Sequence, residues 1–206
     1  MENLRYMIAC PCMDTMPTPT VASLITMKRV GAFRHSFLCN SLVYDARNML
    51  AAEAIATKAD RILWIDSDMM FPSDMMECMA ADLDNGLDFV SALFFRRKLP
   101  TSPCIYKKVD ILDGKGVSRA YIDYPRDKLF SIEGSGFGAV MMTRKLLKDV
   151  FDKYERPFDP MPGVLGEDLA FCWRARQCGY DLYCDASIKI GHVGTLIYGE
   201  PHFLQA

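Results

Sequence analysis

Two acids, Asp66 and Asp68, follow directly on the apolar run Arg61–Ile65 (RILWI). Carboxylates at the end of a buried strand are costly to desolvate unless a cation compensates them. Hard oxygen ligands suit magnesium or manganese, and an ion held by few protein groups keeps positions free for phosphate oxygens. The plain alternative is an exposed loop with two incidental acids. A second pair, Glu167-Asp168, follows Gly166 where a helix is expected to start. The helix dipole favours acids there, so capping alone would account for them. A carboxylate so placed can also take a proton from an attacking hydroxyl. Further along, His192 follows Gly191. Alone it reads as a packed or surface residue; added to a two-carboxylate site, its imidazole favours manganese. The segment Gly134-Ser135-Gly136-Phe137-Gly138 lacks the P-loop pattern and precedes a strand rather than a helix, so it is no dinucleotide fingerprint. Such glycines mark close approach of the backbone to a ligand or to another segment.

These residues need elements to hold them. Strand-like runs at Leu4–Cys10, Ser36–Val43, Arg61–Ile65 and Asp88–Phe95 alternate with helical spacings at Thr20–Val30, Asp45–Lys58 and from Pro72 or Ser73 to Asn85-Gly86. Asp45 is the expected N-cap of its helix, with Ala46, Met49, Leu50 and Ala54 facing inward. This alternation predicts an α/β fold, a mostly parallel sheet flanked by helices, with the ligand site at the carboxyl ends of the strands. Lys98–Ile132 reads as a β-rich insertion around the turn Asp113–Gly116. A strand at Ala139–Thr143, a helix at Arg144–Lys153, a proline-rich loop and a last helix from Gly166 to Gly179 follow, then two short strands around Asp185.

The chain has 206 residues, half of them hydrophobic and 24% charged, which excludes a disordered or fibrous protein and predicts one domain over residues 1–206. The net charge of −2 excludes a protein that coats nucleic acid through overall basicity. Residues 96–128 carry nine bases against four acids, so that segment is +5 and the remainder −7. It reads as a solvated hairpin face or as a surface for an anionic partner. The eight cysteines fit no usual zinc spacing, and reduced thiols are the expectation. No apolar run is long enough to span a membrane and no signal peptide is legible, so a cytoplasmic location is expected.

The order of these motifs resembles the GT-A glycosyltransferases, in particular their family 2-like branch. Ala46-Arg47-Asn48 through Ile65-Asp66-Ser67-Asp68 is similar to that family's "ARN … DsD" segment, and Glu167–Gly179 (EDLAFCWRARQCG) to its acidic helix. The glycine-rich strand entry at 134–138 and Gly191-His192 complete the likeness, which covers residues 4–95 and 130–195. The resemblance implies transfer of a sugar from a nucleoside-diphosphate sugar, a UDP-sugar above all, to a hydroxyl, with inversion. It implies that residues 1–95 bind the donor, and that 96–206 face the acceptor and supply the catalytic acid and the metal histidine. Asp68, Asp66 and His192 would hold Mn2+ or Mg2+. Asp66 would alternatively contact the ribose. Asp168 would be the base with Glu167 beside it. Arg47 would lie near the nucleotide, with Pro11 and Asp14 near its base. Gly136, Arg96, Arg97 and Lys98 would meet the acceptor. No Q-x-x-R-W motif is present, which speaks against a processive synthase.

The chain resembles the small stand-alone enzymes of bacterial glycan clusters and bacteriophages. The implied acceptor is a saccharide, a lipid-linked glycan, a protein or a hydroxymethylated pyrimidine in DNA. Three other readings compete. A haloacid-dehalogenase-type phosphatase also places D-x-D after a strand, but after the first one and followed by a small residue and threonine, whereas here the acids follow the third strand and lead into Met69-Met70. A sugar-nucleotide nucleotidylyltransferase shares the α/β core but carries a glycine- and arginine-rich first loop with a lysine, which Cys10–Thr20 lacks. A silent nucleotide-sugar binding module would not need Asp66, Asp68, Asp168 and His192 intact.

Overall fold

The structure is a computed structural model that describes residues 5–194 and 197–204. The chain runs through Tyr6–Cys12 (β1), Thr18–Thr26 (α1), Phe33–Cys39 (β2), Val43–Thr57 (α2), Arg61–Ile65 (β3), Met69–Met70 (β4), Met75–Asp84 (α3) and Phe89–Leu93 (β5). Then come Ile105–Leu112 (β6), Lys115–Ala120 (β7), Leu129–Ile132 (β8), Gly134–Ser135 (β9), Ala139–Thr143 (β10), Arg144–Tyr154 (α4) and Glu167–Gln177 (α5). Leu182–Lys189 (β11), Gly191–Val193 (β12), Ile197–Tyr198 (β13) and Glu200–Leu204 (α6) end it.

Seven strands form the main sheet in the order β2-β1-β3-β10-β5-β11-β8. β1 is parallel to β2 and β3, and β11 is parallel to β5. β10 runs antiparallel between β3 and β5, and β8 antiparallel along β11. The interior strands are apolar at consecutive positions because both faces are covered. Alternate residues part to opposite sides: Met7, Ala9, Ile62, Trp64 and Val140 pack with α2, α4 and α5, whereas Tyr6, Ile8, Leu63, Ile65 and Met141 pack with α1 and α3. This is the expected α/β fold, a largely parallel sheet flanked by helices. Among the described residues no helix is long and apolar enough to cross a membrane.

Several details differ from the sequence expectation. Leu42, not Asp45, is the N-cap of α2, and Asp45 sits in its first turn, where it pairs with Arg156. Met49 is exposed, and the inward face of α2 carries Ala46, Arg47, Asn48, Leu50, Ala51 and Ala54. A buried arginine is what the pattern hid. The β-rich insertion exists, but it is β6, β7 and β9 that form a separate three-stranded sheet, with β6 central. Its last strand, β8, joins the edge of the main sheet. The two short strands expected around Asp185 are one strand, β11, whose pairing with β5 is irregular between Asp185 and Lys189.

Two arrangements matter for the site. A small sheet of β13, β12 and β4 pairs His192 with Met69, which brings the histidine next to the loop holding Asp66 and Asp68. The glycine-rich segment admits the ring of Phe94. A Cβ on Gly138 would lie 2.9 Å from two Phe94 ring atoms and 3.0 Å from Met69 Cε. One on Gly136 would lie 2.7 Å from Phe94 Cζ. The close approach is therefore to another segment of the chain. Gly138→Ala must push a buried aromatic ring and is expected to cost about 1–3 kcal/mol. Urea unfolding checks this, and an unchanged midpoint would refute the packing argument.

Candidate functional site

A cleft of about 260 Å³ opens at the carboxyl ends of β1 and β3 and at the start of α2 and α5. Pro11, Cys12 and Met13 line it from the end of β1, Ser41, Val43, Ala46 and Arg47 from the entry to α2, and Asp66, Ser67 and Asp68 from the end of β3. Glu167 and Asp168 come from α5, Arg97 from the segment after β5, and His192 from β12.

Arg47 is the hub. Its side chain is 2% exposed and meets three carboxylates. Nη2 donates to Asp66 Oδ1 at 2.8 Å, and Nη1 donates to Asp168 Oδ1 and to Glu167 Oε1, the latter at 3.3 Å. The guanidinium lies over the rings of Phe137 and Phe158, 5.2 and 6.0 Å from their centroids. Asn48, the next residue on α2, fixes that platform: its Oδ1 accepts from Phe158 N at 2.9 Å and its Nδ2 donates to Asp159 at 2.8 Å. Burial opposes the charge on Arg47, and the surrounding carboxylates more than restore it.

One guanidinium cannot neutralise three carboxylates. Burial pushes Asp168 up to about 7; Arg47 opposes this, and the like charges of Glu167 and Asp66 add to it. Asp66 is raised as well, by burial first. A carboxyl titrating near neutrality at a cleft wall is matched to proton transfer. The start of α5 lacks a side-chain cap, so Glu167 and Asp168 in its first turn also meet the favourable end of the helix dipole.

Asp68 faces a different set of partners. Its Oδ2 forms an ion pair with Arg97 Nη1 at 2.8 Å and lies 3.4 Å from His192 Nε2. Burial raises Asp68, but the ring of His192 and then Arg97 outweigh it and hold the carboxyl below the usual value. His192 Nδ1 is 3.1 Å from the carbonyl oxygen of Phe95, which can only accept, so Nδ1 carries the proton. Were a cation to take the place of an Nε2 proton, the Nε2 lone pair and the Asp68 carboxylate would face it together. That is a donor set a divalent cation takes, with the histidine oriented by its second nitrogen. Among the described residues no three His, Cys, Asp or Glu side chains converge to hold a metal. Of the expected trio, Asp66 is turned to Arg47, while Asp68 and His192 face each other.

The other expected residues divide. Pro11 lines the cleft, but Asp14 is exposed beyond it. Arg97 lines the cleft and pairs with Asp68. Arg96 Nη2 donates to Tyr106 Oη at 2.6 Å, and Lys98 is exposed. Gly136 does not line the cleft; the place of its missing Cβ is 3.5 Å from Asp168 Oδ2. Cys12, Met13, Ser41, Val43 and Ser67 went unforeseen as lining. The signal for them was positional, since all sit at strand ends or a helix entry beside the expected site.

No family model and no curated protein matches the chain. Among solved structures it is similar to the crystal structure of A197 from STIV, at 19% identity and a TM-score of 0.66, over 93% of this chain and 86% of that one. This likeness supports the fold and carries no function.

The electrostatic account of the hub predicts a pH signature. A carboxyl whose folded value lies above its unfolded one stabilises the fold at low pH, and the contribution fades as pH rises through the folded value. Arg47→Met removes the counter-charge and raises those folded values further. The carboxyls are about one-quarter exposed, so the loss is expected near 2–3 kcal/mol at pH 8, below the range for fully buried pairs. It should shrink at pH 5. Urea unfolding at both pH values checks this; equal losses would contradict the account.

Proposed function

We propose that this protein is a metal-dependent glycosyltransferase of the GT-A, family 2-like kind, moving a sugar from a nucleoside-diphosphate sugar to a hydroxyl acceptor. The observation that carries the reading is the division of one cleft. Asp68 and His192 present a cation's donor set on one wall, Asp168 presents a carboxyl raised to about 7 on the other, and Arg47 stands behind Asp168. A mostly parallel sheet with its cleft at the strands' carboxyl ends is the fold this reading requires.

In this reading Asp68 and His192 hold Mn2+ or Mg2+, which supplies charge stabilisation for the departing nucleoside diphosphate. Arg97 adds a fixed positive charge on the same wall. Asp168 Oδ1 is held by Arg47 and the carboxyl also accepts from the backbone of Phe137, so a remaining lone pair of the carboxylate takes the proton of the acceptor hydroxyl. The hydroxyl oxygen bonds to the anomeric carbon as the bond from that carbon to the phosphate oxygen breaks, so the configuration inverts. Asp66 is a positioning residue for Arg47. The acceptor is a saccharide, a lipid-linked glycan, a protein or a hydroxymethylated pyrimidine in DNA.

A second reading draws on the same contacts. The bond from Arg47 to Asp168 occupies part of the would-be base, as it would in a nucleotide-sugar binding module without turnover. Release of nucleoside diphosphate from UDP-, GDP- and dTDP-sugars, with water as acceptor, separates the two. The enzyme reading predicts Mn2+-dependent release that Asp68→Ala abolishes. Asp168→Asn should slow release by about 100-fold or more while nucleotide binding persists. The rate should rise with pH and level off above about 7, because only the ionised Asp168 accepts a proton. Nucleotide binding without release in any of these mixtures would favour the binding module.

A further inference from the structure

The rim of the cleft carries chemistry that sugar transfer does not use. Cys12 and Cys39 are the last partners in the parallel register of β1 and β2. Their Sγ atoms lie 2.8 Å apart, closer than two unlinked sulfurs ordinarily rest. Neighbouring strands run about 4.8 Å apart, which falls within the Cα separation that a disulfide spans, roughly 4.4–6.8 Å. Among the described residues no other two thiols share such a contact. Access is graded: Cys39 is exposed, Cys12 is half-buried and lines the cleft, and Cys10 two residues earlier is fully buried.

We propose that Cys12 and Cys39 form a thiol–disulfide exchange site at the cleft rim, whose reaction partner is a small-molecule disulfide. The exposed Cys39 thiolate attacks one sulfur of the oxidant. A mixed disulfide forms and the first small thiol leaves. Cys12 then loses its proton and attacks the Cys39 sulfur, and the second small thiol leaves. Two protein thiols and one external disulfide thus give one protein disulfide and two external thiols, and the electrons balance. The order follows from access and from the burial of Cys12, whose thiol is pushed up to about 11 by burial first and by Cys39 second.

Closure ties the carboxyl ends of β1 and β2 together beside Pro11 and Met13, which line the cleft. It also encloses α1 in a covalent loop, which restricts the unfolded chain. The link itself is independent of the glycosyltransferase reading. Only its effect on nucleotide affinity would rest on that reading.

The test treats the folded full-length chain with oxidised glutathione, quenches with acid, blocks free thiols with N-ethylmaleimide, and maps peptides without reduction. The expected product joins the peptides bearing Cys12 and Cys39 with loss of two hydrogens. Fragmentation between Cys10 and Cys12 assigns the link to Cys12. Dithiothreitol should then lower Tm by roughly 5–10 °C, and Cys39→Ser should show neither the link nor the shift. Recovery of both residues as maleimide adducts would overturn the proposal. So would a glutathione adduct on Cys39 that persists without closing onto Cys12. A link that forms without changing nucleotide binding would leave the exchange site standing and limit its consequence to stability.

Discussion

The whole cleft depends on one buried guanidinium. Arg47 joins the end of β3, through Asp66, to the start of α5, through Glu167 and Asp168, across about half the length of the chain. It rests on Phe137 and Phe158, so the elements that bring the aromatic core together also bring the carboxylates together. The imbalance of charge at this point is structural. Three acids share one base in a poorly solvated place, and one of them, Asp168, responds by holding its proton to near neutrality. A buried ion pair of this kind contributes little to stability by itself, but it fixes how the Asp168 carboxyl is oriented.

The second constraint is the small sheet beside the cleft. β4 follows Asp68 by one residue, and β12 pairs with it. Backbone pairing thereby sets His192 against Asp68, and the carbonyl of Phe95 sets the ring's tautomer. The two walls are thus positioned by unrelated devices, an ion cluster on one side and strand pairing on the other. This division suits a reaction in which one side steadies a leaving diphosphate while the other removes a proton.

Much of this was legible in the sequence. The apolar run ending in Asp66-Ser67-Asp68 and the acids at the entry to α5 stand where the alternation of strands and helices puts a ligand site, and the cleft is there. What stayed hidden was non-local. Ala139–Thr143 reads as a buried strand, but burial on both faces does not encode direction, and β10 lies antiparallel between two strands of the opposite sense. The apolar count on α2 favoured Met49 over Arg47 for the interior, because nothing local announces an arginine whose partners lie about 120 residues away. Likewise nothing local announces that Asp66 turns to the Arg47 guanidinium. The glycines at 136 and 138 were correctly read as places of close approach, and the approaching group is the Phe94 ring.

The central claim is that one wall of this cleft binds a divalent cation together with a nucleoside diphosphate. Electron paramagnetic resonance of Mn2+ in the presence of the protein tests it directly, with and without UDP. The account predicts weak binding of Mn2+ alone, much tighter binding with UDP, and loss of that synergy in Asp68→Ala and His192→Ala but not in Asp168→Asn. Free Mn2+ spectra at every UDP concentration, or synergy that survives in Asp68→Ala, would contradict it.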